Sequence, residues 1–140
     1  MSEAQTLSYT KAQAANWLRI YRTLLIASIV IDAAIGLYCL LDPVGLSRLL
    51  MLPDPYPDAW ARLWGATFFG LQLLFIAGAR NPLFYRWTNW SSIGLKLFLT
   101  IVLLCLGAHF QLLAAWQFLL FVALFATYYQ LALAGLRTHP

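Results

Sequence analysis

Charged side chains are scarce in this sequence. Nine Lys and Arg and five Asp and Glu occur among 140 residues, whereas 62% of the residues are hydrophobic. A helix of a water-soluble domain needs a polar face opposite its apolar one, and most of this chain has too few polar residues to form one. The scarcity of charge therefore argues against a soluble domain and favours a protein that is surrounded by lipid.

Residues that commonly bind metals or carry out catalysis are also rare. The chain has two cysteines and two histidines, and it lacks a zinc-ligand spacing, a P-loop, a dinucleotide fingerprint and a serine-centred elbow. No apolar stretch has a central histidine, so nothing indicates haem. We therefore expect a non-catalytic protein with no metal and no cofactor.

Four long apolar stretches account for most of the chain. A helix that crosses the hydrocarbon core of a bilayer needs roughly 17–25 apolar residues, and each stretch is near that length. The sequence predicts an all-α membrane protein, a four-transmembrane-helix antiparallel bundle that forms a single domain over residues 1–140. The predicted spans are residues 20–41, 60–79, 91–108 and 112–136, and residues 1–9 are predicted to be disordered.

The connection after the first span predicts a short helix on the outer membrane surface. Asp42 suits an N-cap and Pro43 suits the first helical position, so we expect a helix over residues 44–52; the alternative is a plain loop. The expected faces of this interfacial helix separate Leu46, Leu49 and Leu50 from Ser47 and Arg48.

Basic residues are distributed unequally between the two sides of the predicted bundle. Seven lie on the side of the N-terminus, and only Arg48 and Arg62 lie on the other side. Because cytoplasmic loops carry the excess of Lys and Arg, both termini are predicted to be cytoplasmic. The net charge of +4 does not indicate nucleic acid, since the basic residues sit at helix ends. The seven residues are Lys11, Arg19, Arg22, Arg80, Arg86, Lys96 and Arg137.

Three charged residues lie in or beside the apolar stretches and define a candidate site. A carboxylate at the centre of a membrane helix costs about 2.5–3.5 kcal/mol, so we expect Asp32 to face the bundle interior. Arg62 begins the second stretch, Lys96 lies within the third, and the two compete for that carboxylate. The predicted pair is Asp32 with Arg62, directly or through one water, and Lys96 is the alternative partner.

Further polar residues extend this predicted buried cluster. Gln72 lies in the second stretch, Thr100 follows Lys96 after four residues, and Gln117 lies in the fourth stretch. One interpretation is a structural ion pair that fixes the register of the helices. The other is a proton relay or a polar ligand pocket, because ionisable groups within a membrane mark function.

Two cysteines lie near the outer ends of the predicted first and third spans. Cys39 and Cys105 would sit at similar depth, so they are either a redox pair or two small buried residues. A disulfide requires Cα atoms within roughly 7 Å of each other, and diagonal helices would keep the two cysteines apart.

Several short motifs occur in a characteristic order and spacing. They are Gly36-Leu37-Tyr38, Leu41-Asp42-Pro43, Leu49-Leu50-Met51-Leu52-Pro53, Ala61-Arg62-Leu63-Trp64-Gly65 and Ala77-Gly78-Ala79-Arg80-Asn81-Pro82.

In these motifs the chain resembles the DoxX-like group of small four-helix membrane proteins. The resemblance implies a subunit or partner of a membrane redox system and marks Arg62 and Gly65 as a recurrent motif, but it supplies no catalytic residue. The chain lacks a Cys-x-x-Cys, which argues against thiol redox chemistry. We expect a place in a bacterial inner membrane.

Three functions from different classes remain open. The first is an accessory or structural subunit of a larger membrane complex, or a homo-oligomer. The second is a binding protein or carrier for a small lipophilic molecule of the quinone, isoprenoid or sterol-like kind. The third, which has the least support, is an enzyme within the bilayer that uses Asp32 as an acid or base.

Overall fold

The computed structural model describes the backbone of residues 3–137 and the side chains of residues 11–134. Within this part of the chain the structure has helices and no strands, which confirms the predicted all-α bundle. The helices are α1 (Glu3–Leu41), α2 (Pro43–Leu49), α3 (Asp58–Arg80), α4 (Arg86–Cys105) and α5 (Gln111–Arg137), with a 3-10 turn over Ala108–Phe110.

Four of these helices, α1, α3, α4 and α5, are long and apolar enough to cross a membrane. Their exposed surface is rich in large apolar side chains; Leu74, Phe98 and Leu119, for example, are each more than 60% exposed. Buried polar residues lie inside, including Asp32 and Lys96, which are fully buried. So apolar an exposed surface is unusual for a soluble protein and suits lipid as the surrounding medium.

The start of α1 differs from the sequence-based expectation. Disorder is predicted for residues 1–9, but α1 begins at Glu3; residues 1 and 2 lie outside the described residues. Between residues 3 and 35 the chain has no Pro and no Gly. Because adding residues to an existing helix costs little, the membrane helix extends towards the N-terminus.

The short helix after α1 is confirmed, and its buried face differs from the prediction. The Asp42 side chain accepts a hydrogen bond from the Gly45 N–H at 2.9 Å, as expected of an N-cap. Instead of continuing to residue 52, α2 ends at Leu49, which is 67% exposed. Ser47 is buried rather than exposed, and its hydroxyl donates to the Pro43 carbonyl at 2.9 Å. This internal bond satisfies the hydroxyl, so Ser47 can face inward.

Each transmembrane helix packs against its neighbours in an antiparallel bundle. Helix α1 packs most extensively against α3 and also against α5, while α4 packs mainly against α5. Gly107, with φ 108°, forms the tight connection between α4 and the 3-10 turn. A positive φ of this size favours glycine, so this residue allows α4 and α5 to be adjacent. The end of the bundle that holds residues 42–57 and 106–110 is called the loop end below.

Two glycines allow α1 and α3 to approach closely. A Cβ atom at Gly65 would lie 2.6 Å from the backbone N of Leu40 and 2.7 Å from the carbonyl O of Gly36. A Cβ atom at Gly36 would lie 2.8 Å from the backbone N of Phe69. In each case the obstacle is backbone, which cannot move aside as a side chain can. Small residues at this crossing therefore set the distance between the two helices.

We expect Gly65→Ala to lower the free energy of unfolding by about 1–3 kcal/mol, because overpacking forces the helices apart. The measurement is unfolding in detergent micelles by titration with dodecyl sulfate, followed by circular dichroism. Gly70→Ala, in the same helix, is the matched control, because a Cβ there meets nothing within 4 Å. It should be neutral or slightly stabilising. Equal losses in the two variants would contradict the close crossing.

Candidate functional site

The centre of the bundle holds an ion pair between Lys96 and Asp32. The Lys96 ammonium nitrogen donates to Asp32 Oδ2, and both side chains are fully buried. Lys96 is thus the partner of Asp32, as in the sequence-based alternative. A charge in a medium of low polarity is tolerated when it is paired and hydrogen-bonded, so the pair accounts for two charged residues within membrane helices.

Gln117 of α5 is the second partner of the carboxylate. Its Nε2 donates to Asp32 Oδ1 at 3.2 Å, and the side chain is 4% exposed. The carboxylate therefore accepts from two different helices, one bond to each oxygen. Gln117 is one of the additional polar residues expected in the cluster, and the structure places it in direct contact with Asp32. Three helices, α1, α4 and α5, meet at this network.

The same four-residue spacing of buried polar residues occurs on α1 and on α4. Ser28 precedes Asp32 by four residues, Ser92 precedes Lys96 by four residues, and all four side chains are buried. A four-residue spacing places two side chains on one helix face. The interior-facing stripe of each helix is therefore polar at two successive levels.

Thr100 is buried on α4 but does not contact the ion pair through its side chain. Its hydroxyl donates to the carbonyl O of Lys96 at 2.8 Å, a bond within the helix. Gln72 of α3 is also fully buried. Neither amide atom of Gln72 has a hydrogen-bond partner among the described residues. The structure therefore buries both predicted cluster members without linking either of them to Asp32.

Arg62 does not pair with Asp32, so the preferred sequence-based partner is wrong. Its Nη1 donates to the carbonyl oxygens of Leu40 at 2.9 Å and Leu41 at 3.0 Å, and its Nε lies 3.4 Å from Asp58 Oδ2. The Arg62 side chain is 45% exposed. The cause is depth, because Arg62 lies level with the end of α1, where unpaired helix carbonyls attract a cation.

Arg22 forms a matching contact at the opposite end of the same helix pair. Its Nε donates to the Ala79 carbonyl at 2.9 Å and its Nη2 donates to the Arg80 carbonyl at 2.8 Å. Thus an arginine of α1 caps the end of α3, and Arg62 of α3 caps the end of α1. These reciprocal arginine caps fix α1 against α3 at both ends.

A second polar group lies at the end opposite the loop end and was not predicted as a cluster. Asn89 Nδ2 donates to the Pro82 carbonyl at 2.8 Å, and the Tyr128 hydroxyl lies 3.4 Å from the same oxygen. The ring of Tyr21 packs against that of Tyr128 with centroids 5.0 Å apart. These contacts join the α3–α4 turn to α1 and α5. No sequence motif connects residues so far apart in the chain.

An apolar cavity of about 360 Å³ lies at the loop end of the bundle. Residues 52–55, which follow α2, form part of its wall together with α2 itself. This volume is at the lower end of the range of about 300–1,000 Å³ for small-molecule sites. Every long helix contributes to the lining, through residues that include Ile35, Cys39, Trp64, Leu103 and Leu113. Helix α2 contributes Leu46, and Ser47 and Asp54 are the polar lining residues.

A smaller void of about 30 Å³ lies beside this cavity, on the side of the polar network. Five of its lining residues also line the larger cavity, and the other two are Phe68 and Gln117. Gln117 is the residue that donates to Asp32. Gln117 therefore belongs to the polar network and also lines the small void, whose walls are largely shared with the cavity.

The two cysteines are free and lie in different surroundings. Cys39 is buried and its Sγ lies 3.2 Å from the Ala61 carbonyl, whereas Cys105 is exposed. They form no disulfide. The alternative expectation is two buried cysteines, and only Cys39 is buried. Among the described side chains, no group of three or more His, Cys, Asp or Glu is arranged to hold a metal ion.

Comparison of the chain with protein-family models, with curated proteins and with solved structures finds no match.

The ion pair predicts strong coupling between Asp32 and Lys96. Asp32→Asn or Lys96→Gln alone leaves one buried charge without its partner, so each should cost about 3–5 kcal/mol of unfolding free energy. The double variant should recover part of that loss, because no uncompensated charge remains. Unfolding in mixed micelles of the four proteins gives the coupling energy.

Arg62 provides the matched control for this cycle. Arg62→Gln removes two bonds to carbonyls in a half-exposed place and leaves the ion pair intact. Its effect should therefore add to that of Asp32→Asn without coupling. Additive losses for Asp32 and Lys96, or coupling between Asp32 and Arg62, would contradict the described network.

Proposed function

We propose that this chain is a non-catalytic integral membrane protein that binds a small lipophilic molecule in the cavity at its loop end. The observation that carries the proposal is the cavity of about 360 Å³. Its lining is mostly apolar, with Ser47 and Asp54 as the polar members, and it adjoins the void lined by the buried amide of Gln117. Small-molecule sites are typically apolar with a few fixed polar groups. The cavity has this composition.

The surroundings of Asp32 support a binding role over catalysis. Its two oxygens are engaged by Lys96 and by Gln117. A general acid or base must be within reach of the proton that it transfers, and this carboxylate is enclosed by its own partners. The ion pair therefore serves as a rigid base beneath the cavity.

Participation in a larger membrane complex, redox-linked as the DoxX-like resemblance implies, stays a prediction. The exposed apolar surface that would support it suits lipid as well as a protein partner or a second copy of the chain.

Binding is tested by filling the cavity. Leu103 lines it, whereas the next residue, Leu104, is 56% exposed on the outer surface. Native mass spectrometry of protein purified in mild detergent should show a bound lipophilic molecule on the wild type. Leu103→Trp should lose most of that occupancy, because the indole takes up the space, and Leu104→Trp should keep it.

Two other results would count against binding. Equal occupancy in the Leu103 and Leu104 variants would place the molecule outside the cavity. A wild-type protein with no bound molecule but a stoichiometric protein partner would replace the binding function with that of an accessory subunit.

We further propose that both termini are cytoplasmic, in a bacterial inner membrane. Seven basic residues lie on the N-terminal side by sequence, but Lys96 is buried at the ion pair and does not count, which leaves six against two. That excess still supports the orientation.

The orientation is tested by labelling single cysteines with a membrane-impermeant maleimide, after Cys39 and Cys105 are replaced by alanine. Asp54→Cys lies in the connection between α2 and α3, and Phe84→Cys lies between α3 and α4. Neither change alters the count of basic residues. Asp54→Cys should be labelled on intact spheroplasts, and Phe84→Cys only after permeabilisation. The reverse result would invert the proposed topology.

A further inference from the structure

Beside the cavity, the small void is lined by one amide whose hydrogen-bond acceptor has no partner among the described residues. Gln117 lines the small void beneath the cavity, and its Oε1 is buried without a hydrogen bond among the described residues. The other residues around that void are aliphatic or aromatic. A buried acceptor without a partner is rare in proteins. Among the described residues, Gln72, Asn89 and Gln117 each have a buried amide oxygen without a partner, and of these three only Gln117 lines the void beside the cavity.

The orientation of the Gln117 amide follows from its chemistry. The amide oxygen and nitrogen are assigned from the hydrogen-bond network in which they take part. Asp32 is already paired with the Lys96 ammonium, and an ion-paired carboxylate offers only acceptors. The Gln117 NH₂ group must therefore face Asp32, where Nε2 lies 3.2 Å from Oδ1. The carbonyl oxygen is the end of the amide that remains for the void.

This fixed polarity selects between classes of lipophilic ligand. A ligand hydroxyl can donate to the free carbonyl oxygen, whereas a ketone, an ether or a quinone would place a second acceptor opposite it. Sites that are built to bond a hydroxyl discriminate strongly against analogues that lack one, because the protein group is then left unpaired. The ion pair thus determines, through the orientation of the Gln117 amide, which polar group of a ligand can bind there.

We infer that the cavity takes a lipophilic molecule with a hydroxyl group at its inner end, an isoprenoid-type alcohol or a hydroquinone, in preference to the matching ether or quinone. This inference rests on the proposed binding function. Gln117 positions the hydroxyl through Oε1, and the apolar walls of the cavity hold the rest of the molecule.

The test compares two matched pairs of probes on the unaltered protein. Farnesol is compared with farnesyl methyl ether, and duroquinol under reducing conditions with duroquinone, each by titration with native mass spectrometry. The hydroxyl form should bind about tenfold more tightly than its partner, which is the factor expected of one buried hydrogen bond. The pair with the larger ratio identifies an aliphatic alcohol or a phenol as the preferred class.

Variants assign the preference to Gln117. Gln117→Leu should bind the ether as well as the wild type does and lose the preference for the alcohol; Gln117→Met serves the same purpose if the leucine variant does not fold. Gln130→Leu is the matched control, because Gln130 lies on the same helix, is exposed and lines neither the cavity nor the void. This variant should retain the preference.

Failure of the inference is distinguishable from failure of the binding function. Equal affinities within both probe pairs would overturn the preference while leaving cavity binding in place. A preference that persists in the Gln117 variant would also overturn the inference, because another group would then be responsible. Absence of binding by all four probes would overturn the inference, and the binding function would fall with it if the purified wild type also carries no bound molecule.

Discussion

The buried ion pair between Asp32 and Lys96 is the constraint on which the rest of the bundle depends. Its two charges lie on different helices and are fully buried, so neither helix can rotate or slide without separating them. A buried pair gives little net stability relative to apolar residues, but breaking it is costly. Its effect is therefore on register, which it fixes for α1 and α4, and through Gln117 for α5 as well.

Helix α3 is held by different means. It contributes no hydrogen bond to the ion pair among the described residues, and its contact with α1 depends on backbone proximity at Gly36 and Gly65. Arg22 and Arg62 then join the ends of the two helices by capping carbonyl groups. These caps also explain why two arginines are placed near helix ends, where side-chain length allows them to reach polar backbone.

The sequence predicts the helices and the burial of Asp32 but does not select its partner. Span length and apolar composition are enough to predict the helices, and the cost of a charge in lipid is enough to predict that Asp32 is buried. Choosing between Arg62 and Lys96 requires the relative depth and rotation of three helices, and these depend on packing at Gly36 and Gly65. Ser47 illustrates the same difficulty, since its inward position follows from a hydrogen bond within α2. The cavity is equally hidden from sequence, because it forms where residues 52–55 and α2 fold over the helix ends.

The ion pair also separates two halves of the interior with different character. Towards the loop end the space is an apolar cavity, whereas towards the other end the buried residues include Tyr21, Asn89 and Tyr128. Gln117 links the ion pair to the loop-end half, since its nitrogen donates to Asp32 and its side chain lines the void beside the cavity. The network that fixes helix register thereby also fixes the orientation of the Gln117 amide at the void. The Asp32 carboxylate takes hydrogen bonds from Lys96 and from the Gln117 NH₂ group, so the Gln117 carbonyl oxygen is the only group of that amide left for a ligand. The helix register and the proposed preference for a hydroxyl therefore have the same physical origin.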